Sequence, residues 1–431
     1  MKIKEEISKR PVIFLLLVLV LTIIVVDSFL PVIFLRNHYT KHPEATCYKY
    51  LILDNGKQTR KGNHISYNAK VINWYDSHTR LWKNCKGEIK LYQPRFNEDS
   101  LENKPFSYGD VVSSSDEMLP ISNFSEDFNY VRYMKHQRIY HSVFVNHWRV
   151  VETNQGNFFV GLSKKINERL HDRILFSGMK KETSQLAVAM LLGDKTEMNP
   201  DIRQSFNAAG LGHILCVSGL HIGILMIFFT YILSLILPNI NNRIYIINWC
   251  SILIVWLLNA IVGFTPSATR VAMLLTVLYL CKMYMLYYDR INVLLVVAFV
   301  SLVLKPHLLF NIRFQLSYLS VLGIFICDPY FDKWKMKKQS FVKPFLNKLL
   351  SNLSMSTSAQ VFTLPITLVN FGYFPVFFLI SNLIVLPILQ LALISLIALL
   401  IFVDVPLLSN VIAFCCDVEL GFIIWVTNLL S

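Results

Sequence analysis

Apolar and polar positions divide the chain into one apolar segment, a mixed stretch and a long series of apolar segments. Residues 12–35 are apolar enough to cross a bilayer, which takes about 20 residues. The basic residues before them and the lack of a cleavage motif after them predict an uncleaved anchor with a cytoplasmic N-terminus. Eight further spans are predicted at 211–237, 244–262, 269–288, 291–304, 314–327, 353–371, 376–402 and 405–428.

The mixed stretch has the pattern of a β domain. Residues 64–75, 87–94 and 108–115 are rich in β-branched and aromatic residues and are separated by turn formers. About five such strands suit a small barrel of the oligonucleotide/oligosaccharide-binding (OB) type. We therefore predict a polytopic α-helical membrane protein with an inserted, external, OB-like β-barrel. Its domains are a tail and anchor (1–35), the external domain with a helical linker (36–181) and a transmembrane domain of about eight spans (182–431).

Composition supports this division. Hydrophobic residues make up 54% of the 431 residues and charged residues 16%, whereas soluble proteins have about 25% charged residues. An ordinary cytosolic enzyme is therefore excluded. Residues 36–181 hold 23 of the 41 basic and 15 of the 28 acidic residues, as expected of a water-facing domain. The loop 328–352 is predicted to be cytoplasmic, which places 36–181 outside, because it carries six lysines: Lys333, Lys335, Lys337, Lys338, Lys343 and Lys348.

Two sets of side chains in the external domain invite a function. Cys47 and Cys85 are its only cysteines, and they are either a disulfide or two free thiols. Five aromatic residues could stack nucleic-acid bases in a basic barrel, or else belong to its core: Trp74, Tyr75, Trp82, Tyr92 and Phe96. No CxxC pair or other metal motif occurs, so we predict no metal and no cofactor.

A polar cluster interrupts the first predicted span of the transmembrane domain. His213, Ser218 and His221 lie there, and on a straight helix His213 and His221 would share a face. A Ser–His nucleophile pair would need a third group, and the G-x-S-x-G elbow is absent. A metal site would need a third ligand. A broken helix lining a pathway fits best, because Gly212 and Gly219 loosen the helix.

Three further polar groups in the predicted spans are costly to keep in a membrane without a role. They are Arg270, Arg313 and Gln315.

The densest motif in the chain runs from LLGDK at 191–195 to SGLH at 218–221. It resembles the competence-domain signature of ComEC-type DNA-uptake channel proteins. The residues that carry the resemblance are Leu191, Leu192, Gly193, Asp194, Lys195, Phe206, Gly210, His213, Ile214, Leu215, Val217, Ser218, Gly219, Leu220 and His221. Family-like stretches follow at 265–274, 314–323 and 358–387, and external ones at 108–112 and 128–134.

The resemblance implies a plasma-membrane channel component that moves single-stranded DNA into the cytoplasm during natural transformation. The residues it places along the translocation path are Gly193, Asp194, Lys195, Gly210, His213, Ser218, Gly219, His221, Arg270, Arg313 and Gln315. It implies as partners single-stranded DNA, the lipid bilayer, an external DNA receptor and cytoplasmic DNA-handling or ATPase proteins. It leaves homo-oligomerisation open.

The sequence predicts no enzyme activity for this chain. It has no Walker A motif, and it lacks the metallo-β-lactamase-like domain and the H-x-H-x-D-H motif that many family members carry. We therefore expect a separate nuclease and a separate ATPase. Three alternatives stay open: a secondary transporter of a small solute, a membrane-embedded serine hydrolase using Ser218 and His221, and a degenerate channel remnant. The few acids in the spans weigh against the transporter.

Overall fold

The computed structural model describes residues 11–29, 37–42, 45–59, 63–94, 104–123, 130–237, 242–332, 343–372 and 374–431. It divides into two compact units. One comprises residues 21–162 and the other residues 163–431 with those up to 20. The first is built mainly from strands and the second from helices.

The smaller unit is a curled nine-stranded sheet. Its strands are β1 (Tyr48–Ile52), β2 (Lys57–Gln58), β3 (His64–Asp76), β4 (Leu81–Asn84), β5 (Glu88–Pro94), β6 (Val111–Ser114), β7 (Met118–Pro120), β8 (Ile139–Phe144) and β9 (Trp148–Glu152). Their order is β7-β8-β5-β3-β1-β6-β9, with β2 and β4 also paired to β3. Every pair is antiparallel except β5 with β8, which is parallel.

Strand β3 forms the centre of this sheet because its side chains alternate between the core and the surface. Tyr67, Ala69 and Val71 point inward and are fully buried. The predicted stretches 64–75, 87–94 and 108–115 correspond to β3, β5 and β6. The number of strands was underestimated, because β2 and β7 have only two and three residues and all four residues of β4 are exposed. Such strands carry no alternating pattern to detect.

The helices of the chain are α1 (Pro11–Phe29), α2 (Tyr130–His136), α3 (Phe158–Leu175), α4 (Lys181–Leu192), α5 (Pro200–Ala208), α6 (Gly219–Ile236), α7 (Arg243–Ile261), α8 (Pro266–Met283), α9 (Arg290–Leu304), α10 (Ile312–Asp332), α11 (Lys343–Phe371), α12 (Phe378–Phe402) and α13 (Pro406–Leu429). Within the described residues, five are long and apolar enough to cross a membrane: α6, α7, α10, α12 and α13. The protein is therefore a multi-pass membrane protein.

Local sequence signals fix several helix starts. Proline is the first residue of α5, α8 and α13, where its missing N–H needs no partner. Asn199, Thr265 and Asp289 precede α5, α8 and α9, and each side chain accepts a hydrogen bond from the first turn. The largest hydrophobic core of the helical unit joins residues of α4, α5, α12 and α13.

Several predicted boundaries are corrected by the structure. The spans predicted over 269–288, 314–327 and 353–371 correspond to α8, α10 and α11, whose ends differ from the prediction by up to ten residues. The span predicted over 211–237 starts too early, because residues 211–218 form turns and α6 begins at Gly219. The loop predicted over 328–352 is shorter, because α10 ends at Asp332 and α11 begins at Lys343. Four of its lysines lie outside the described residues: Lys333, Lys335, Lys337 and Lys338.

Candidate functional site

The turn between α5 and α6 depends on a glycine. Gly210 has φ +77°, and its N–H donates to the Asn207 carbonyl at 3.1 Å. A Cβ at this position would lie 2.7 Å from the Cβ of Phe378, near the start of α12. Both the backbone conformation and the close approach therefore exclude a larger residue. The next donor, the Leu211 N–H, bonds to the Phe206 carbonyl at 2.8 Å.

A second turn, at the end of α4, holds the first part of the signature. Gly193 ends α4 in the left-handed conformation. Asp194 Oδ1 accepts hydrogen bonds from the Thr196 N–H at 3.1 Å and the Thr196 hydroxyl at 2.9 Å. Lys195 Nζ lies 3.0 Å from Cys216 Sγ, so this turn contacts the segment before α6.

Ser218 and His221 cap the start of α6. The Ser218 hydroxyl accepts from the His221 N–H at 3.4 Å, and His221 Nδ1 accepts from the Ser218 N–H at 3.5 Å. This is the reciprocal arrangement of a capping box. Each side chain thus contacts the other residue's backbone, and the hydroxyl and imidazole do not form a nucleophile pair. His221 is 1% exposed, and its Nε2 has no hydrogen-bond partner within the described chain.

His213 is not part of this cap. It is exposed and belongs to the turns that precede α6. The straight helix on which His213 and His221 would share a face is not present, because α6 begins only at Gly219.

Arg270, in the first turns of α8, is buried close to the start of α6. It is 5% exposed and makes no hydrogen bond or ion pair with any residue that the structure describes. Its Cζ lies 5.7 Å from the centre of the Tyr318 ring. Its Nη2 lies 3.1 Å from the position that a Cβ of Gly219 would take. A second contact joins α8 to the same segment, since the Ser267 hydroxyl donates to the Val217 carbonyl at 3.0 Å.

Arg313 and Gln315 lie near the start of α10, the helix that also carries Tyr318. Arg313 is exposed, and its N–H donates to Asn311 Oδ1 at 2.9 Å. Gln315 Nε2 donates to the Leu309 carbonyl at 2.7 Å. The structure therefore brings together Ser218, Gly219, His221 and Arg270, whereas Arg313 and Gln315 bond to their own neighbourhood.

Two acidic residues in the middle of α13 are not among the predicted site residues. Asp417 accepts hydrogen bonds from the Lys180 N–H at 3.1 Å and from the Thr183 hydroxyl, and so anchors the start of α4. Glu419 Oε1 accepts from the Ser395 hydroxyl at 3.2 Å, while its Oε2 is buried without a partner in the described residues. An acidic residue inside an apolar span was the available signal.

The aromatic residues of the sheet unit fall into different environments. Trp82 is 38% exposed. Its ring centroid lies 5.3 Å from that of Tyr75, and Lys49 Nζ lies 4.5 Å from the centre of the Trp82 ring. Tyr92 stacks on the exposed Phe144 at 4.9 Å. The structure thus presents two partly exposed aromatic clusters.

Trp74 does not belong to either of these clusters. It is 7% exposed and stacks on His42, so it is a core residue. Phe96 lies outside the described residues.

Cys47 and Cys85 are both free in this structure, which corresponds to the second of the two alternatives left open by the sequence. The Cys47 carbonyl accepts from the Tyr75 N–H, and the Cys85 N–H donates to the Ile72 carbonyl. The cysteines therefore lie on opposite sides of β3, two strand spacings or about 9–10 Å apart. A disulfide requires Cα atoms within about 7 Å.

One histidine pair in the sheet unit is electrostatically unusual. Burial and the neighbouring His141 lower the pKa of His38 to about 4, and burial also lowers the pKa of His141. The Tyr39 hydroxyl lies 3.1 Å from His141 Nδ1. No group of three His, Cys, Asp or Glu side chains that could hold a metal is found in the described residues.

Comparison with known proteins agrees with the signature. A family model described as "Competence protein" matches residues 190–431. "ComE operon protein 3" of Bacillus subtilis (strain 168) is 27% identical over 210 residues, which cover 48% of this chain and 25% of that protein. The chain thus matches about a quarter of this relative's length. No solved structure matches the chain.

Proposed function

Because this chain belongs to the Competence protein family, we propose that it is a membrane channel component that moves single-stranded DNA into the cytoplasm during natural transformation. One observation carries the proposal: a polar junction lies among apolar helices. At this junction Gly219, the capping pair Ser218–His221 and the buried Arg270 meet within a few ångströms. Buried polar groups of this kind in a membrane bundle mark pathways more often than packing.

The sheet unit supports a role in holding the strand. We propose that residues 36–181 form an OB-like external domain. The curl of the sheet supports such a barrel-like fold. The surface formed by Lys49, Tyr75 and Trp82 combines a cation with exposed rings, as single-strand binders do.

The proposal extends to location and partners. We place the chain in the bacterial plasma membrane with the N-terminus in the cytoplasm. An external DNA receptor would deliver the strand, and cytoplasmic DNA-handling or ATPase proteins and a separate nuclease would supply the remaining steps. This chain would conduct rather than catalyse.

One observation favours a second function, secondary transport of a small solute. Such transporters use ionisable groups near the middle of the membrane, and Glu419 lies near the middle of α13 with one carboxylate oxygen unpartnered among described residues. Glu419→Gln would abolish proton-coupled solute transport. It should leave DNA uptake largely intact if Glu419 only bonds to Ser395.

The test is deletion of the gene followed by measurement of labelled DNA that becomes resistant to external nuclease. This readout separates transport from later recombination. Deletion should abolish protected DNA while surface-bound DNA persists, and the wild-type gene should restore it. Normal protection without the gene would reject the channel role.

A further inference from the structure

We infer that Arg270 and the first turn of α6 form a binding site for one phosphodiester group of the moving DNA strand. The inference rests on the proposed function and adds a specific contact to it. Its first observation is that the Arg270 side chain has no anionic partner in the described residues. Arg270 is 5% exposed, and neither an acceptor nor a carboxylate among the described residues pairs with its guanidinium.

A buried guanidinium without a counter-ion is costly, because the charge loses its hydration and Arg270 gains only the weaker attraction of the Tyr318 ring in exchange. Arginine stays charged in proteins. A chain that keeps such a group buried therefore needs an anion from elsewhere during its working cycle.

The position of the guanidinium points to where that anion binds. Nη2 lies 3.1 Å from the place of a Gly219 Cβ, and Gly219 is the first residue of the 18-residue helix α6. A helix N-terminus carries partial positive charge, so a cation beside it is repelled unless an anion binds both.

The first turn of α6 also offers free donors. Ser218 accepts from the His221 N–H, but the N–H groups of Gly219 and Leu220 have no acceptor among the described residues. The absence of a side chain at Gly219 lets the guanidinium approach the first turn of α6 closely. The site therefore combines a planar cationic fork with nearby backbone N–H donors at the start of α6, a combination that binds phosphate oxygens.

The surroundings favour a DNA strand over a lipid headgroup. Arg270 and His221 are buried among packed helices, whereas lipid contacts the outer face of a bundle. Access is available next to the site, since Leu220 is 38% exposed. A linear chain of phosphodiesters can present one group at a time to such an opening.

The test uses the full chain in nanodiscs of uncharged lipid and a fluorescent oligothymidylate. Arg270→Gln is compared with Arg290→Gln, a matched loss of one charge at an exposed arginine that pairs with Asp328. Arg270→Gln should weaken binding about tenfold or more. It should also reduce the slope of log affinity against log salt by about 0.7, the value for one phosphate contact on a single strand. Arg290→Gln should bind like the wild type.

Folding is checked in the same samples. Removing an unpaired buried charge should leave the melting temperature unchanged or raise it. If the melting temperature of Arg270→Gln has not fallen, its weaker binding cannot be ascribed to misfolding. As a second variant, Gly219→Ala adds a Cβ 3.1 Å from Nη2 and 2.9 Å from Val271 Cγ2. It should weaken binding with the arginine still present.

Inorganic phosphate and anionic lipid serve as separate probes. If the wild type binds oligothymidylate but Arg270→Gln binds it equally with the same salt slope, the site is wrong and the channel proposal stands. If phosphate stabilises only the wild type and no oligonucleotide binds, the assignment to DNA fails together with the proposed function. A difference between the variants that appears only with anionic lipid makes the occupant a headgroup and overturns the inference.

Discussion

At the scale of single residues, the junction depends on what Ser218 does. Its hydroxyl accepts a backbone N–H at the start of α6 instead of facing an imidazole nitrogen. Such a cap contributes about 1 kcal/mol to stability, whereas a catalytic serine cannot lose its hydroxyl. A mutant that lacks the Ser218 hydroxyl therefore distinguishes a helix cap from a catalytic serine.

Ser218→Ala should lower the stability of the protein slightly and leave substantial DNA uptake. Gly219→Leu should abolish uptake, because even a Cβ there would lie 2.9 Å from Val271 Cγ2. Both are measured as nuclease-protected DNA at equal protein abundance. Loss of uptake in Ser218→Ala with tolerance of Gly219→Leu would favour the serine hydrolase.

A pair of glycines gives a matched test of the turn before α6. Gly210→Ala should destabilise the protein by more than about 1 kcal/mol, because φ is +77° and Phe378 is too close. Gly223→Ala, inside α6, meets nothing within 4 Å and should stabilise by up to about 1 kcal/mol. Thermal unfolding in detergent compares them. Equal changes in stability for the two variants would show that the turn before α6 does not depend on Gly210.

At the scale of elements, the sequence predicts the ends of some long helices closely, but it misses the start of α11 and the end of α10. The predicted ends of α7, α9, α12 and α13 fall within two residues of the observed ones, because an apolar run ends where polar residues begin. The segment 211–218 is equally apolar but not helical. Its turns depend on Gly210 and on contacts with distant residues such as Phe378, which a local pattern does not contain.

The candidate site shows the same limit. The motif picked out Ser218 and His221, and polarity in a span picked out Arg270. Their proximity follows from the packing of α8 against α6, and the sequence does not encode it locally. The choice between a Cys47–Cys85 disulfide and two free thiols stayed open for the same reason, because the strand order that separates the two cysteines is not contained in the local sequence.

The sheet unit should lose stability in mild acid. The unfolded chain protonates His38 near pH 6.5, but in the folded unit its pKa is about 4. The free energy of unfolding should therefore be highest above pH 6.5 and fall as the pH drops from 6.5 to 4. Hydrogen exchange of β1 and β3 in the full chain measures it.

A variant and a control complete this test. His38→Gln should reduce the dependence across that range and leave the part that belongs to His141, while the same change at the exposed His78 should not reduce it. An undiminished dependence in His38→Gln would assign it to another group.

At the scale of the whole molecule, orientation decides whether the sheet unit can meet incoming DNA. The lysines around residues 333–348 predict a cytoplasmic loop and hence an external sheet unit. A cysteine placed at Gln339 should stay protected from impermeant reagents in intact cells. A cysteine at Trp82, in the sheet unit, should be labelled. The reverse result would invert the topology and remove the sheet unit from the DNA path.

The most direct test of the central claim is photocrosslinking during DNA uptake. A photoreactive residue is placed at Leu220, beside the junction, or at Leu253 of α7, which is 61% exposed. Labelled DNA should crosslink at Leu220 and not at Leu253, and only while uptake proceeds. No crosslink at Leu220 in cells that take up DNA normally, or equal crosslinking at both positions, would contradict a DNA path along the start of α6.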